Sequence, residues 1–127
     1  MATEQQENWE HSLTQWAIPA AIMEQAAETP WIHPPAMFGV PAKIEMTPSH
    51  VRALAAMPEG GSVLDVGCGG GIAAFALVPP AGHVIGVDHQ PEMLEMFSAN
   101  AKSRRVNAEV YQGFWPEIST KVPLADV

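Results

Sequence analysis

Val63–Leu77, VLDVGCGGGIAAFAL, packs an apolar run, an acid and four glycines into one short stretch. An aliphatic run that gives way to glycines and then to an alanine-rich segment reads as strand, tight loop and helix. Gly67, Gly69, Gly70 and Gly71 strip Cβ atoms from that loop, so a ligand can come close to the main chain there. The same turn is expected to aim helix N-terminal amides outward, where an anionic group such as a carboxylate can bind.

The alternation continues on both sides of the loop. Short apolar runs at 62–66, 83–88 and 108–112 read as strands, and 70–77 and 91–103 read as helices. Ahead of them, TPSHVRALAAM predicts a helix over 48–57, with Thr47 as N-cap, Pro48 at the first helical position and Val51, Leu54 and Ala55 on one stripe. Consecutive strand–helix–strand units make an α/β fold with a parallel sheet. The final KVPLADV, 121–127, resembles the start of a fourth strand.

Residues 1–47 have a different texture, holding three of the four tryptophans and five of the twelve prolines. They are read as a helical and extended cap, with helices over 4–16 and from Pro19 to about 28, and 48–127 as the sheet domain. Trp9, Trp16, Trp31 and His33 either form a lid over a substrate or pin the cap to the domain.

Fourteen acids against six Lys and Arg give a formal charge of -8, so the general field repels a phosphate backbone. No nucleic acid partner is expected, although a local basic patch is compatible with that total. The one near-cluster, KSRR at 102–105, falls at an expected helix end, where cations complement the carbonyl dipole. A single cysteine cannot form an internal disulfide, and the first residues, MATEQQENWEHS, lack the basic start and apolar stretch of a secretory signal. No apolar run approaches the roughly 20 residues of a membrane span. A cytoplasmic location is the resulting expectation. No metal-ligand spacing connects the five histidines and the cysteine, so no metal is assigned.

Neither common nucleotide loop fits the glycines. Ile72 stands where a dinucleotide fingerprint needs its third small residue, and no Lys-Ser or Lys-Thr follows as a P-loop requires. An acid two residues before a G-x-G-x-G loop, followed by a second acid at the end of the next strand, resembles the class I S-adenosylmethionine-dependent methyltransferases. VLDVGCGGG looks like their first motif and VIGVDHQPEML like their second, within a matched region of about 47–127. The resemblance implies a Rossmann-like sheet of about three strands in the order 3-2-1.

It also implies S-adenosyl-L-methionine as cofactor. Gly67, Gly69 and Gly71 would cradle its methionine portion, Cys68 lies within that loop, and Asp65 would orient the loop or reach the amino end through water. Asp88 would grip the ribose, because a carboxylate offers two acceptors to two adjacent hydroxyl donors. His89 follows where the family often places a side chain against adenine. The family's acid after the third strand is missing from YQGFWPEI. Adenine is then bounded by Phe114 and Trp115 and read by main chain near Gly113, or these aromatics are simply core or cap-facing packing. Cys68 has no evident base beside it in sequence, and no catalytic residue is assigned.

Right-handed crossovers that step in one direction place the three helices on one face of the sheet. VLDV and VIGV are apolar at successive positions, so the other face also calls for a cover. The expectation is an N-terminal, cofactor-binding portion of a longer methyltransferase, or a piece that self-associates. A self-contained short protein whose residues 1–47 fold over that face is the rival. In function, a methyltransferase of a small molecule leads; a nicotinamide-dependent oxidoreductase and a non-catalytic S-adenosylmethionine-binding or interaction module are the alternatives.

Overall fold

The computed structural model describes residues 3–17, 19–25 and 39–127. The chain divides into two compact units, Met1–Ile32 and His33–Val127. Within the first, α1 spans Glu4–Trp16 and α2 spans Ala20–Gln25. A capping box starts α1: Thr3 Oγ1 accepts from the Gln6 amide at 3.2 Å, and Gln6 Oε1 accepts from the Thr3 amide at 2.8 Å. Every residue of α1 is exposed, Trp9 and Trp16 included. Trp31, His33 and the expected continuation of α2 over 26–28 lie outside the described residues.

The second unit begins its regular structure with α3, Pro48–Ala56. Thr47 caps it as expected, and His50 completes the box by accepting from the Thr47 amide through Nδ1 at 3.2 Å. The buried stripe differs from the expected one. Ala53, Leu54 and Met57 face the core, whereas Val51 is 55% exposed and Ala55 is also exposed. The helix is nine residues long, so a small rotation about its axis exchanges one apolar stripe for its neighbour.

Three parallel strands follow: β1 Ser62–Val66, β2 His83–Asp88 and β3 Asn107–Gln112, in the spatial order β1-β2-β3. This is the order expected. The register aligns Val63, Val84 and Ala108 in one row across the sheet, and Leu64, Ile85 and Glu109 in the next. Between the strands run α4, Ile72–Phe75, and α5, Pro91–Arg104. The expected helix over 70–77 is therefore cut to four residues. Gly71 sits at φ 98°, in the left-handed region, so no α-helix can include it.

Helices α3, α4 and α5 pack on the face that Val63, Val84, Ala108 and Val110 present. At its centre Phe97 is fully buried, with its ring 5.2 Å from that of Phe75. Gly71 and Gly86 make room for it: a Cβ on Gly71 would lie 2.8 Å from Phe97 and 2.5 Å from Phe75, and one on Gly86 would lie 3.0 Å from Phe97. The opposite face carries Leu64, Val66, Ile85, Val87 and Tyr111, none of which joins the helix-side core. There His83 Nε2 lies 3.2 Å from Glu109 Oε1, and the Tyr111 hydroxyl donates to Glu109 Oε2 at 3.2 Å.

The free edge of β1 is paired by the last residues. Val127 N donates to Ser62 O at 3.2 Å, and Leu64 N donates to Val127 O at 2.8 Å, the pattern of a parallel ladder about Val63. Asp126 Oδ2 accepts from the Ser62 amide at 2.8 Å and from its hydroxyl at 3.2 Å. After β3, a 3-10 turn over Glu117–Lys121 seats Ile118 over Gly113, where a Cβ would meet it at 2.7 Å.

Phe97→Ala removes the ring around which the glycines are fitted. It is expected to cost about 3–5 kcal/mol in urea unfolding, and a loss under 1 kcal/mol would show that the site collapses freely.

Candidate functional site

The carboxyl ends of β1, β2 and β3 carry the candidate residues, as parallel sheets place their ligands. At the tip of β1 the chain turns sharply, with Gly67 at φ 72°, Gly69 at φ 52° and Gly71 at φ 98°. Nothing lies within 4 Å of where a Gly67 Cβ would stand, so that position faces open space while its φ excludes a side chain. The loop is tied to its neighbour strand: Gly67 N and Cys68 N both donate to Val87 O, at 2.7 and 3.0 Å.

Asp88, at the tip of β2, is 8% exposed. Its Oδ2 accepts from Gly69 N at 3.1 Å and its Oδ1 from Gln90 N at 3.0 Å. The amides of Gly67, Cys68 and Gly69 are thus engaged within the protein and do not point outward to a carboxylate, as the loop pattern had suggested. The Val87 carbonyl takes the first two, and Asp88 draws in the Gly69 amide, because a buried carboxylate needs donors. Each of its oxygens retains capacity for a second hydrogen bond.

Val66, Gly67, Asp88, His89, Gly113 and Phe114 line a hollow of about 130 Å³. Gly113 N donates to Asp88 O at 3.1 Å, which holds the β3 tip against the β2 tip. The His89 and Phe114 rings stack with centroids 4.9 Å apart and planes 19° apart. A third ring cannot enter between them, so a bound base has to lie on a flank of the pair. Trp115 also borders the hollow and is 45% exposed; Phe114 is 65% exposed. Neither is core, which removes the core-packing alternative for this pair.

The remaining candidates lie beneath the loop. Asp65 faces the helix side, and its Oδ2 is buried with no hydrogen-bond partner. Burial pushes its pKa up from 3.8 to about 6; an Ala74 backbone hydrogen bond opposes this, Asp88 adds to it and His50 opposes it weakly. Cys68 is buried with Sγ 3.0 Å from where a Gly86 Cβ would be, so only its main chain reaches the loop. Burial, then Asp65 and Asp88, push the thiol up to about 12. It stays protonated at neutral pH and cannot serve as a nucleophile.

Gly71 is buried at the start of α4. Sequence reasoning missed Asn100, whose Nδ2 donates to Gly70 O at 2.9 Å and braces the loop from α5. An amide side chain amid the apolar positions of a helix was the only signal available.

Comparison with known proteins fits this geometry. Residues 63–125 match the methyltransferase domain family. This part of the chain belongs to that family.

Among curated relatives, the arsenite methyltransferase of Halobacterium salinarum is 44% identical over 79 residues, covering 59% of this chain and 19% of that protein. The ribosomal protein L11 methyltransferase of Thermus thermophilus is 34% identical over 90 residues, covering 70% and 35%. The C-terminal domain of precorrin-6Y C5,15-methyltransferase from Rhodobacter capsulatus shares the fold, with TM-score 0.55 at 22% identity over 73% of this chain and 53% of that one. A dimethyladenosine transferase from Plasmodium falciparum gives TM-score 0.51 at 26% identity, covering 65% and 31%. The chain spans between 17% and 35% of the length of the curated relatives it matches. The oxidoreductase alternative is set aside by this match.

Among the described residues, no three His, Cys, Asp or Glu side chains are grouped to hold a metal, and no helix is long and apolar enough to cross a membrane.

The Asp65 carboxyl makes a testable pH signature. Its pKa in the fold lies above the unfolded value, so the protonated form favours folding, and stability falls as pH rises from below 4 to above 6. The penalty is on the order of 1–3 kcal/mol. Asp65→Asn is expected to flatten that decline in urea unfolding measured across the window; parallel curves for the two proteins would contradict the assignment.

Proposed function

We propose that this chain is the cofactor-binding part of an S-adenosylmethionine-dependent methyltransferase acting on a small molecule. One observation carries the reading. A buried carboxylate at the tip of β2 is bonded to the glycine loop at the tip of the adjacent parallel strand, beside a hollow walled by His89 and Phe114.

The chain's residues fit such a cofactor. Gly67 leaves open space against bare main chain, and Asp88 keeps acceptor capacity for a ribose diol. The outer faces of the His89–Phe114 pair suit a purine ring. At about 130 Å³ the hollow is smaller than the roughly 300–1,000 Å³ of whole ligand pockets. It therefore takes only part of the nucleoside end, in this reading the ribose beside Asp88, with the rest of the cofactor lying outside it over the ring pair and the loop. The orphaned Oδ2 of Asp65 gives the amino-acid end a buried negative pole once ionised.

When bound, the sulfonium supplies an electrophilic methyl group. The protein's share is alignment and exclusion of water: the loop, held by Asp88, Val87 and Asn100, fixes the position of one reactant before the other arrives. A small-molecule acceptor is supported by the formal charge of -8, which disfavours polyanions in general. The relatives named above differ widely in acceptor, from arsenite to a ribosomal protein. The second sheet face, in this reading, is the surface for further chain or a second copy.

Calorimetric titration with S-adenosylmethionine and S-adenosylhomocysteine tests the proposal. Binding of both is expected, and Asp88→Asn should weaken it about 10–100-fold through lost charge-assisted hydrogen bonds, with the melting temperature tracked as a check on the loop. Absence of binding in the unaltered chain, or full affinity in a folded Asp88→Asn variant, would overturn it.

A further inference from the structure

Helix α1 buries none of its 13 residues, and its large apolar side chains stand in water: Trp9 is 66% exposed, Leu13 52% and Trp16 87%. A helix of this length is marginal on its intrahelical bonds alone and ordinarily gains its stability by burying one apolar face. The Thr3–Gln6 capping box satisfies amides at the start but covers no apolar surface. Two indoles on one solvated helix therefore mark a surface that something else covers.

The three side chains form a single seam. Steps of four and then three residues, at about 100° each, keep Trp9, Leu13 and Trp16 within about 60° of arc. Gln5, Gln6 and Ser12 border the seam, Glu4 and Glu7 lie on the far side, and Glu10 stands about 90° from its centre. An apolar strip with neutral flanks has the composition of a protein interface, in which tryptophans are favoured anchors. Three glutamates and no Lys or Arg on α1 repel phosphodiesters and anionic lipid surfaces alike.

The seam also reads the same in both directions. Laid antiparallel on a second copy, Leu13 meets the same residue of that copy, and each Trp9 lies against the other copy's Trp16. Glu4, Glu7 and Glu10 all precede His11, and His11–Trp16 carries no acid, so this arrangement sets each acidic half against a neutral one. A parallel pairing would place the two acidic halves side by side. Antiparallel helices also bring opposite ends of their dipoles together. Four indoles bury roughly 150–250 Å² each, and with two leucines the seam approaches the roughly 1,200 Å² at which specific interfaces begin.

We propose that α1 is a self-association element, through which two copies of the chain pair by antiparallel α1 helices with Leu13 on the two-fold axis. The same patch serves both copies, so the assembly closes at two. No residue of the candidate cofactor hollow takes part.

Sedimentation equilibrium of the 127-residue chain over a range of concentrations is expected to show a monomer–dimer equilibrium. Leu13→Glu and Leu13→Lys each set like charges against one another on the axis and should weaken the dimer about tenfold or more. An equimolar mixture of the two variants should restore it, because the charges are then opposite; only a seam in which position 13 meets itself gives that rescue. Leu13 is exposed, so both variants keep the fold, which circular dichroism checks. A chain that stays monomeric at every concentration, a dimer that Leu13→Glu leaves intact, or a mixture of the variants that remains monomeric overturns the proposal.

Discussion

The Asp88 carboxylate holds the site together. It is nearly enclosed, it accepts from Gly69 on one side and Gln90 on the other, and its own carbonyl receives the Gly113 amide. Three loops from three strands are thereby fixed to one residue. A carboxylate withdrawn from water demands such donors, and main-chain amides provide them without side-chain entropy. The glycine loop keeps its positive-φ path because both its neighbour strand and this acid secure its amides. The bare main chain of the loop is therefore a rigid surface, ready before any ligand arrives.

Much of this was legible in the residues. Thr47-Pro48 announced α3, and the apolar runs ending in Asp65 and Asp88 marked two strand tips with their acids. The spacing of acid and glycines separated a methyltransferase loop from dinucleotide and P-loop alternatives. These features are local, and local rules govern caps, turns and strand ends.

What was hidden depends on contacts across the fold. Helix α4 is short because Gly71 turns left-handed under the Phe75 and Phe97 rings, and no one-dimensional pattern shows those rings converging. Val51 lost its place in the core to Ala53 because three-residue and four-residue steps compete on a short helix. The hold of Asp88 on the Gly69 amide, and the bracing of Gly70 by Asn100, join residues far apart in the chain.

The His83–Glu109–Tyr111 group gives the side of the sheet away from the helices two unequal halves. Near the strand beginnings, whatever settles there must supply donors or leave a path for solvent, since a carboxylate stripped of water without replacement bonds is costly. Near Val66 no such demand exists: Ile85 and Val87 are already closed off from water, and Val66 is left 45% exposed at their margin. The apolar half thus ends in an exposed side chain that borders the candidate hollow, so whatever packs on Val66 also narrows the approach to that hollow.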